Sequence, residues 1–129
     1  MSTIQRVSSG AQWEEIVGYS RAIKVGNVIE IAGTTAIDEQ GQVVGKGDPY
    51  AQTRYIIEKA QKALLELNAG LHHVIRTRMY VTDITQWEAI GRAHGDFFHT
   101  IKPVSTMVEV KQLIHPDLLV EMEFSALTS

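Results

Sequence analysis

Glu121 and Glu123 stand one pleat apart in the run Val120-Glu121-Met122-Glu123-Phe124-Ser125-Ala126, where every second residue is apolar. Such alternation predicts a strand with Leu118, Val120, Met122, Phe124 and Ala126 on one face and Glu121, Glu123 and Ser125 on the other. A carboxylate in a partly dry cleft has a raised pKa, so Glu121 can donate a proton to a leaving amine or orient a water. Its competing role is an ion pair with Arg76 or Arg78. A second alternating run, Val104 to Val110, sets Val104, Thr106, Val108 and Val110 against Ser105, Met107 and Glu109. In a third, Val74 to Thr82, Ile75, Thr77, Met79 and Val81 are expected on the core face and Arg76, Arg78 and Tyr80 away from it. Arg78 is then expected on the same non-core face as Ser105 and Glu121. There its guanidinium either binds a ligand carboxylate or neutralises Glu121 or Glu123.

The remaining candidates are weaker. Ser105 and Thr106 carry hydroxyls, but no base stands near them in a recognisable triad, so Ser105 reads as a binding hydroxyl. Of the five histidines, His72 and His73 are adjacent and would face opposite sides of a strand. His94 and His99 lie about 140° apart around a helix, so no metal site is expected. His94 is either a satisfied helix histidine or a ligand contact, and Trp87 is expected in the core. With no cysteine, disulfides, thiolate chemistry and the usual structural zinc sites are excluded. The net charge of −3 argues against a nucleic-acid partner. No apolar run is long enough for a membrane span and no secretory signal is visible, so a cytoplasmic protein is expected.

The elements that must position these residues follow from turn and cap signals. Residues 1–129 read as one domain, able to bury about two-thirds of the unfolded chain's surface. A strand is predicted over Gln5 to Val7, followed by an irregular stretch from Trp13 to Ser20. Two strands, Ala22 to Val25 and Val28 to Thr35, flank a Gly26-Asn27 turn, and Gln40-Gly41 marks another. Asp48-Pro49 starts a helix in which Ile56, Ala60, Ala63, Leu64 and Leu67 keep helical spacing to a stop near Gly70. A strand from Val74, a helix from about Thr85 and two closing strands complete the order β-β-β-α-β-α-β-β. That order describes an α+β sandwich with two helices on one side of a mixed sheet. The other sheet face, half polar and half aliphatic, is expected to be buried in a closed homo-oligomer.

Laid out this way, the chain resembles the reactive intermediate deaminase (Rid, YjgF-like) superfamily over roughly residues 17 to 127. Tyr19-Ser20-Arg21-Ala22 resembles the family's Gly-Pro-Tyr-Ser-x-Ala opening, and Ala32-Gly33-Thr34 its Ser-Gly-Gln strand. Arg76 to Asp83, Trp87 to Phe98, Pro103 to Val110 and Val120 to Ala126 resemble the central strand, the following helix and the closing strands. The resemblance implies a chorismate-mutase-like fold and a homotrimer with a central β-barrel and small-metabolite clefts between subunits. It also implies cofactor-free hydrolysis of imines or enamines to a keto acid and ammonia.

Position by position, the resemblance makes Glu121 the catalytic group and Tyr19 and the Gly33 backbone substrate contacts. Ser105 stands where the deaminating branch has a carboxylate-clamping arginine, Met107 where it has a cysteine, Gly91 where it has an asparagine, and His94 where it has a tyrosine. The departures resemble branches for which 2-iminopropionate deamination is weak or absent. The expected function is a small-metabolite-binding protein or a cofactor-free hydrolase of a C=N or related carbonyl compound. The alternative is a non-catalytic ligand-binding or regulatory trimer; an RNA-directed translation inhibitor is disfavoured by the acidic balance.

Overall fold

The computed structural model describes residues 3–129. Six strands form one mixed sheet in the order β1-β2-β3-β6-β4-β5. They are β1 (Ile4–Val7), β2 (Ala22–Val25), β3 (Val28–Thr35), β4 (Val74–Val81), β5 (Val104–Glu109) and β6 (Val120–Leu127). Every pairing is antiparallel except β4 with β5, which run parallel. Parallel neighbours need a crossover, and α3 (Trp87–Phe98) supplies it. The long helix α2 (Pro49–Glu66) and α3 cover one sheet face. Ile56, Ile57, Ala60 and Leu64 of α2 meet Ile29, Ile31, Met122 and Phe124 in the core. Among the described residues no helix is long and apolar enough to cross a membrane.

Local chemistry accounts for most element boundaries. Asp48 caps α2 by accepting from the Ala51 N–H at 3.0 Å, with Pro49 in the first turn. The helix stops earlier than the glycine signal suggested: Asn68 takes the left-handed conformation at φ 58°, and Ala69 N–H reaches back to Leu64 O at 2.8 Å. Asparagine tolerates that region better than other residues with a Cβ, which lets it close a helix. A six-residue helix, α1 (Gln12–Val17), replaces the expected irregular approach and ends on Gly18 at φ 89°. Gln52, fully buried in α2, donates to Gly45 O and Asp117 O and accepts from Leu119 N–H. It thereby fixes the loop that leads into β6.

Three expectations about faces are corrected. The register pairs Thr77 with Ser105, Met79 with Met107 and Arg78 with Thr106. Registered neighbours share a sheet face, so Ser105 and Met107 lie on the helix-covered side, opposite Arg78. Alternation separates two faces without saying which is buried. On the edge strand β5 the valines were a misleading guide, since Met107 packs against the core while Val104 and Val108 stay exposed. Ile75 is 50% exposed because a bulge between Val74 and Arg76 interrupts the alternation there. Trp87 is not core; it is 57% exposed at the start of α3, while Ile90, Ala93 and Phe98 turn inward.

Replacing Asp48 by alanine is expected to lower stability by about 1 kcal/mol through loss of the cap. Trp87→Ser should change stability by no more than about 0.5 kcal/mol, as for an exposed side chain. Urea unfolding of both variants distinguishes a packed from an exposed Trp87.

Candidate functional site

The bulge in β3 is the centre of the candidate site. Ile31 faces Phe124 and Thr34 faces Met122, so Ala32 and Gly33 together oppose the single residue Glu123. The extra residue bends β3 and brings the Gly33 backbone against the Glu121 carboxylate. A methyl group on Gly33 would overlap Glu121 Oε2, so only glycine permits this approach. Burial raises the Glu121 pKa; the Glu123 charge adds to the rise and the Arg21 charge partly offsets it. Among the described residues Glu121 forms no ion pair, and neither do Arg76 and Arg78. The expected pairing of Glu121 or Glu123 with Arg78 is therefore not formed. Glu123 instead accepts from Tyr80 Oη at 2.6 Å, and that hydrogen bond is the main reason the tyrosine pKa rises.

The residue that organises this region is Arg21, in the stretch Tyr19-Ser20-Arg21-Ala22 singled out above only for its tyrosine. Its side chain is 10% exposed and faces that of Glu14, itself 5% exposed, with Nε 3.6 Å from Glu14 Oε2. Nη1 donates to Gly33 O at 2.7 Å and to Thr34 Oγ1 at 2.8 Å, and Nη2 donates to Tyr19 Oη at 3.3 Å. One guanidinium thus holds both the bulge and the tyrosine. Glu14 comes from α1, whose C-terminal end is closed by Gly18 and Tyr19 N–H groups on Glu14 O. Burial alone would raise the Glu14 pKa, but hydrogen bonds from Ser9 and Ser8 and the Arg21 charge outweigh it, so it falls. In the sequence this pair is marked only by two opposite charges, Glu14 beside Trp13 and Arg21 beside Ala22.

Lys59 of α2 lies close to the same pair. Its Nζ donates to Thr35 O at 2.8 Å and Ile37 O at 3.0 Å, tying the helix to the end of β3. Burial, helped by the Arg21 charge, lowers its pKa to about 8, against the opposing influence of Glu14 and Asp38.

The structure separates the sequence-derived candidates into two groups. Tyr19, Gly33, Arg78 and Glu121 belong to the open side of the sheet. Tyr19 and Arg78, with Ser20, Ile23, Glu30, Ala32 and Glu123, line a concavity of about 410 Å³. Ser105, Met107 and His94 lie on the helix side. There Thr77 Oγ1, fully buried, is 2.9 Å from His94 Nε2 and 2.8 Å from Ser105 Oγ. His94 stacks at 4.6 Å on Phe98, and burial lowers its pKa. Strand alternation marks Thr77 only as a core residue, because its hydroxyl partners come from α3 and β5, far from it in sequence. Among the described residues no three histidine, aspartate or glutamate side chains converge on a point where a metal ion would sit.

The fold that carries this site, a six-stranded sheet backed by two helices, is shared with known proteins. The family described as endoribonuclease L-PSP matches residues 10–128. A crystal structure of a member of the YjgF/YER057c/UK114 family from Mycobacterium tuberculosis is 43% identical, with a TM-score of 0.89, covering 98% of this chain and 100% of that one. A RutC family protein of Pyrococcus abyssi is 40% identical across 81% of this chain and 82% of its own length. The 3-aminoacrylate deaminase RutC of Acinetobacter baylyi is 30% identical across 81% of this chain and 82% of its own. The chain belongs to this family, the YjgF-like or Rid superfamily.

Two measurements probe the site's electrostatics. Arg21→Ala leaves the Glu14 carboxylate without its counter-charge and should cost about 3 kcal/mol in urea unfolding. Glu121 has a folded pKa above its unfolded value, so its charged form opposes folding as pH rises through the carboxylate range. Glu121→Gln should therefore melt at or above the wild-type temperature at pH 7, with the difference closing as pH falls through that range. A variant that melts well below wild type at pH 7 would mark Glu121 as a structural charge.

Proposed function

We propose that this protein is a homotrimer that binds a small carbonyl- or imine-containing metabolite in clefts between subunits, and acts there as a cofactor-free hydrolase of a C=N or enamine bond. The observation that carries this reading is the Glu121 carboxylate, unpaired and biased towards its protonated form beside the Gly33 backbone. Such a group can protonate a departing amine and, once ionised, orient the attacking water. Tyr19 and the Gly33 backbone are the binding groups beside it, and Arg78 offers a cation in the adjoining concavity. The name of the Acinetobacter relative, a deaminase of an amino-substituted acrylate, supports chemistry at a C–N bond.

The separation of the two candidate groups supports a site built from more than one chain. Ser105, Met107 and His94 cannot join Glu121 within one subunit, because the sheet lies between them. The exposed β5 edge of one subunit set against the open face of another would bring them together. That face also carries exposed Val25, Val28, Val104, Val108 and Leu127, an apolar rim that assembly would cover. Light scattering is expected to give a trimer at micromolar concentration, and a monomer would remove the shared cleft.

A catalytic reading demands that Glu121→Gln abolish ammonia release while leaving the oligomer intact. The substrate is expected to differ from 2-iminopropionate. With Ser105 where a bidentate arginine would stand, about 3 kcal/mol of carboxylate binding is missing, roughly a hundredfold in rate. Ammonia release from 2-iminopropionate should be correspondingly weak, and Ser105→Arg should raise it unless Met107 crowds the new side chain. Turnover by the wild type matching arginine-bearing relatives would assign the carboxylate to another cation, with Arg78 the first to replace.

A further inference from the structure

We infer that Ser105, Thr77 and His94 form a reversible hydrogen-bond relay that reads an uncharged carbonyl or imine group of the ligand at the outer edge of β5. This rests on the small-molecule reading above and narrows the ligand: the group presented to Ser105 is neutral, not a carboxylate. Thr77 has one hydroxyl hydrogen and two partners within 2.9 Å, the His94 ring nitrogen and the Ser105 hydroxyl. It is wholly enclosed, so no solvent completes its bonding. The hydrogen bonds can run in only two consistent directions. With the proton on Nε2, His94 donates to Thr77, Thr77 donates to Ser105, and Ser105 is free to donate outward to a carbonyl oxygen. With the proton on Nδ1, Ser105 donates to Thr77 and Thr77 to His94, leaving Ser105 to accept from an N–H group.

That reversibility suits a site where a C=N–H group becomes C=O, since the atom opposite Ser105 loses its donor. The relay's charge points the same way. Ser105 and Thr77 are hydroxyls, and burial without a charged neighbour favours the neutral imidazole of His94. The nearest β4 cations, Arg76 and Arg78, register with Val104 and Thr106 and so lie on the other side of the sheet. Nothing in the relay can balance a carboxylate. Ser105 is exposed on an edge strand, so the chain of hydrogen bonds leads from solvent through the buried Thr77 hydroxyl to a half-buried ring.

Pyruvamide and pyruvate differ only in a neutral amide against a carboxylate, and NMR of uniformly ¹⁵N-labelled protein reads the His94 ring together with the Tyr19 and Gly33 amides. Pyruvamide should move the His94 nitrogen resonances at a concentration at least about threefold lower than pyruvate does. Thr77→Val keeps the shape and cuts the relay. It should weaken pyruvamide binding between about twofold and tenfold and silence His94. Thr77→Ser, which restores the hydroxyl, should recover the His94 response. Pyruvate acting on His94 at an equal or lower concentration overturns the inference, as does an unchanged His94 response in Thr77→Val. Shifts at Tyr19 and Gly33 with His94 silent would overturn the relay alone and leave the Glu121 site standing. Silence at all three positions sinks both.

Discussion

One buried cation sets the geometry on which the candidate site depends. The Arg21 guanidinium, facing Glu14, holds the carbonyl of Gly33, the hydroxyl of Thr34 and the hydroxyl of Tyr19 at once. Burying a charged group is costly unless it is paired and its hydrogen-bonding capacity used, so the segments supplying its partners are constrained together. Those segments are α1, the start of β2 and the bulge of β3. Without that constraint nothing requires the β3 backbone to approach Glu121 so closely. Burial at this approach raises the carboxylate's pKa, and the Arg21 charge partly offsets the rise.

The same arrangement divides labour between the two sides of the sheet. The helix-covered side gives stability through its aliphatic core, and it encloses one polar thread, His94 to Thr77 to Ser105. The open side gives charge and concavity, with Arg78, Glu121, Glu123 and Tyr80 spaced along β4 and β6. Lys59 crosses from the helix layer to the carbonyls at the end of β3 and keeps that end in place.

Much of the architecture was legible in the sequence, because it rests on short-range signals. Strand alternation gave β6, the Gly26-Asn27 turn gave the β2–β3 hairpin, and Asp48-Pro49 gave the start of α2. What failed was whatever depends on partners distant along the chain. Alternation in β5 could not say which face met the core, so Ser105 was set beside Arg78 when the register puts them on opposite sides. The bulges at Ile75 and at Ala32–Gly33 change the period locally and leave no mark in composition. Arg21 was invisible as an organiser because its partners come from three separate stretches. Glu121, Tyr19 and Gly33 were named from the sequence, whereas the tie that joins Tyr19 to Gly33 was not.

The strand order also has a kinetic side. β6, the last strand in chain order, lies between β3 and β4 and pairs with both. During synthesis the β1–β3 ribbon and α2 emerge first, with the edge of β3 still lacking its partner. Joining residues near position 30 to residues near 125 closes a loop of most of the chain, and such non-local pairing is slow. Until β6 arrives, β3 offers a bare row of amides and carbonyls to any other nascent chain. Folding of this protein is thus gated by its last strand, and the time before that strand inserts is when it is most exposed to mispairing.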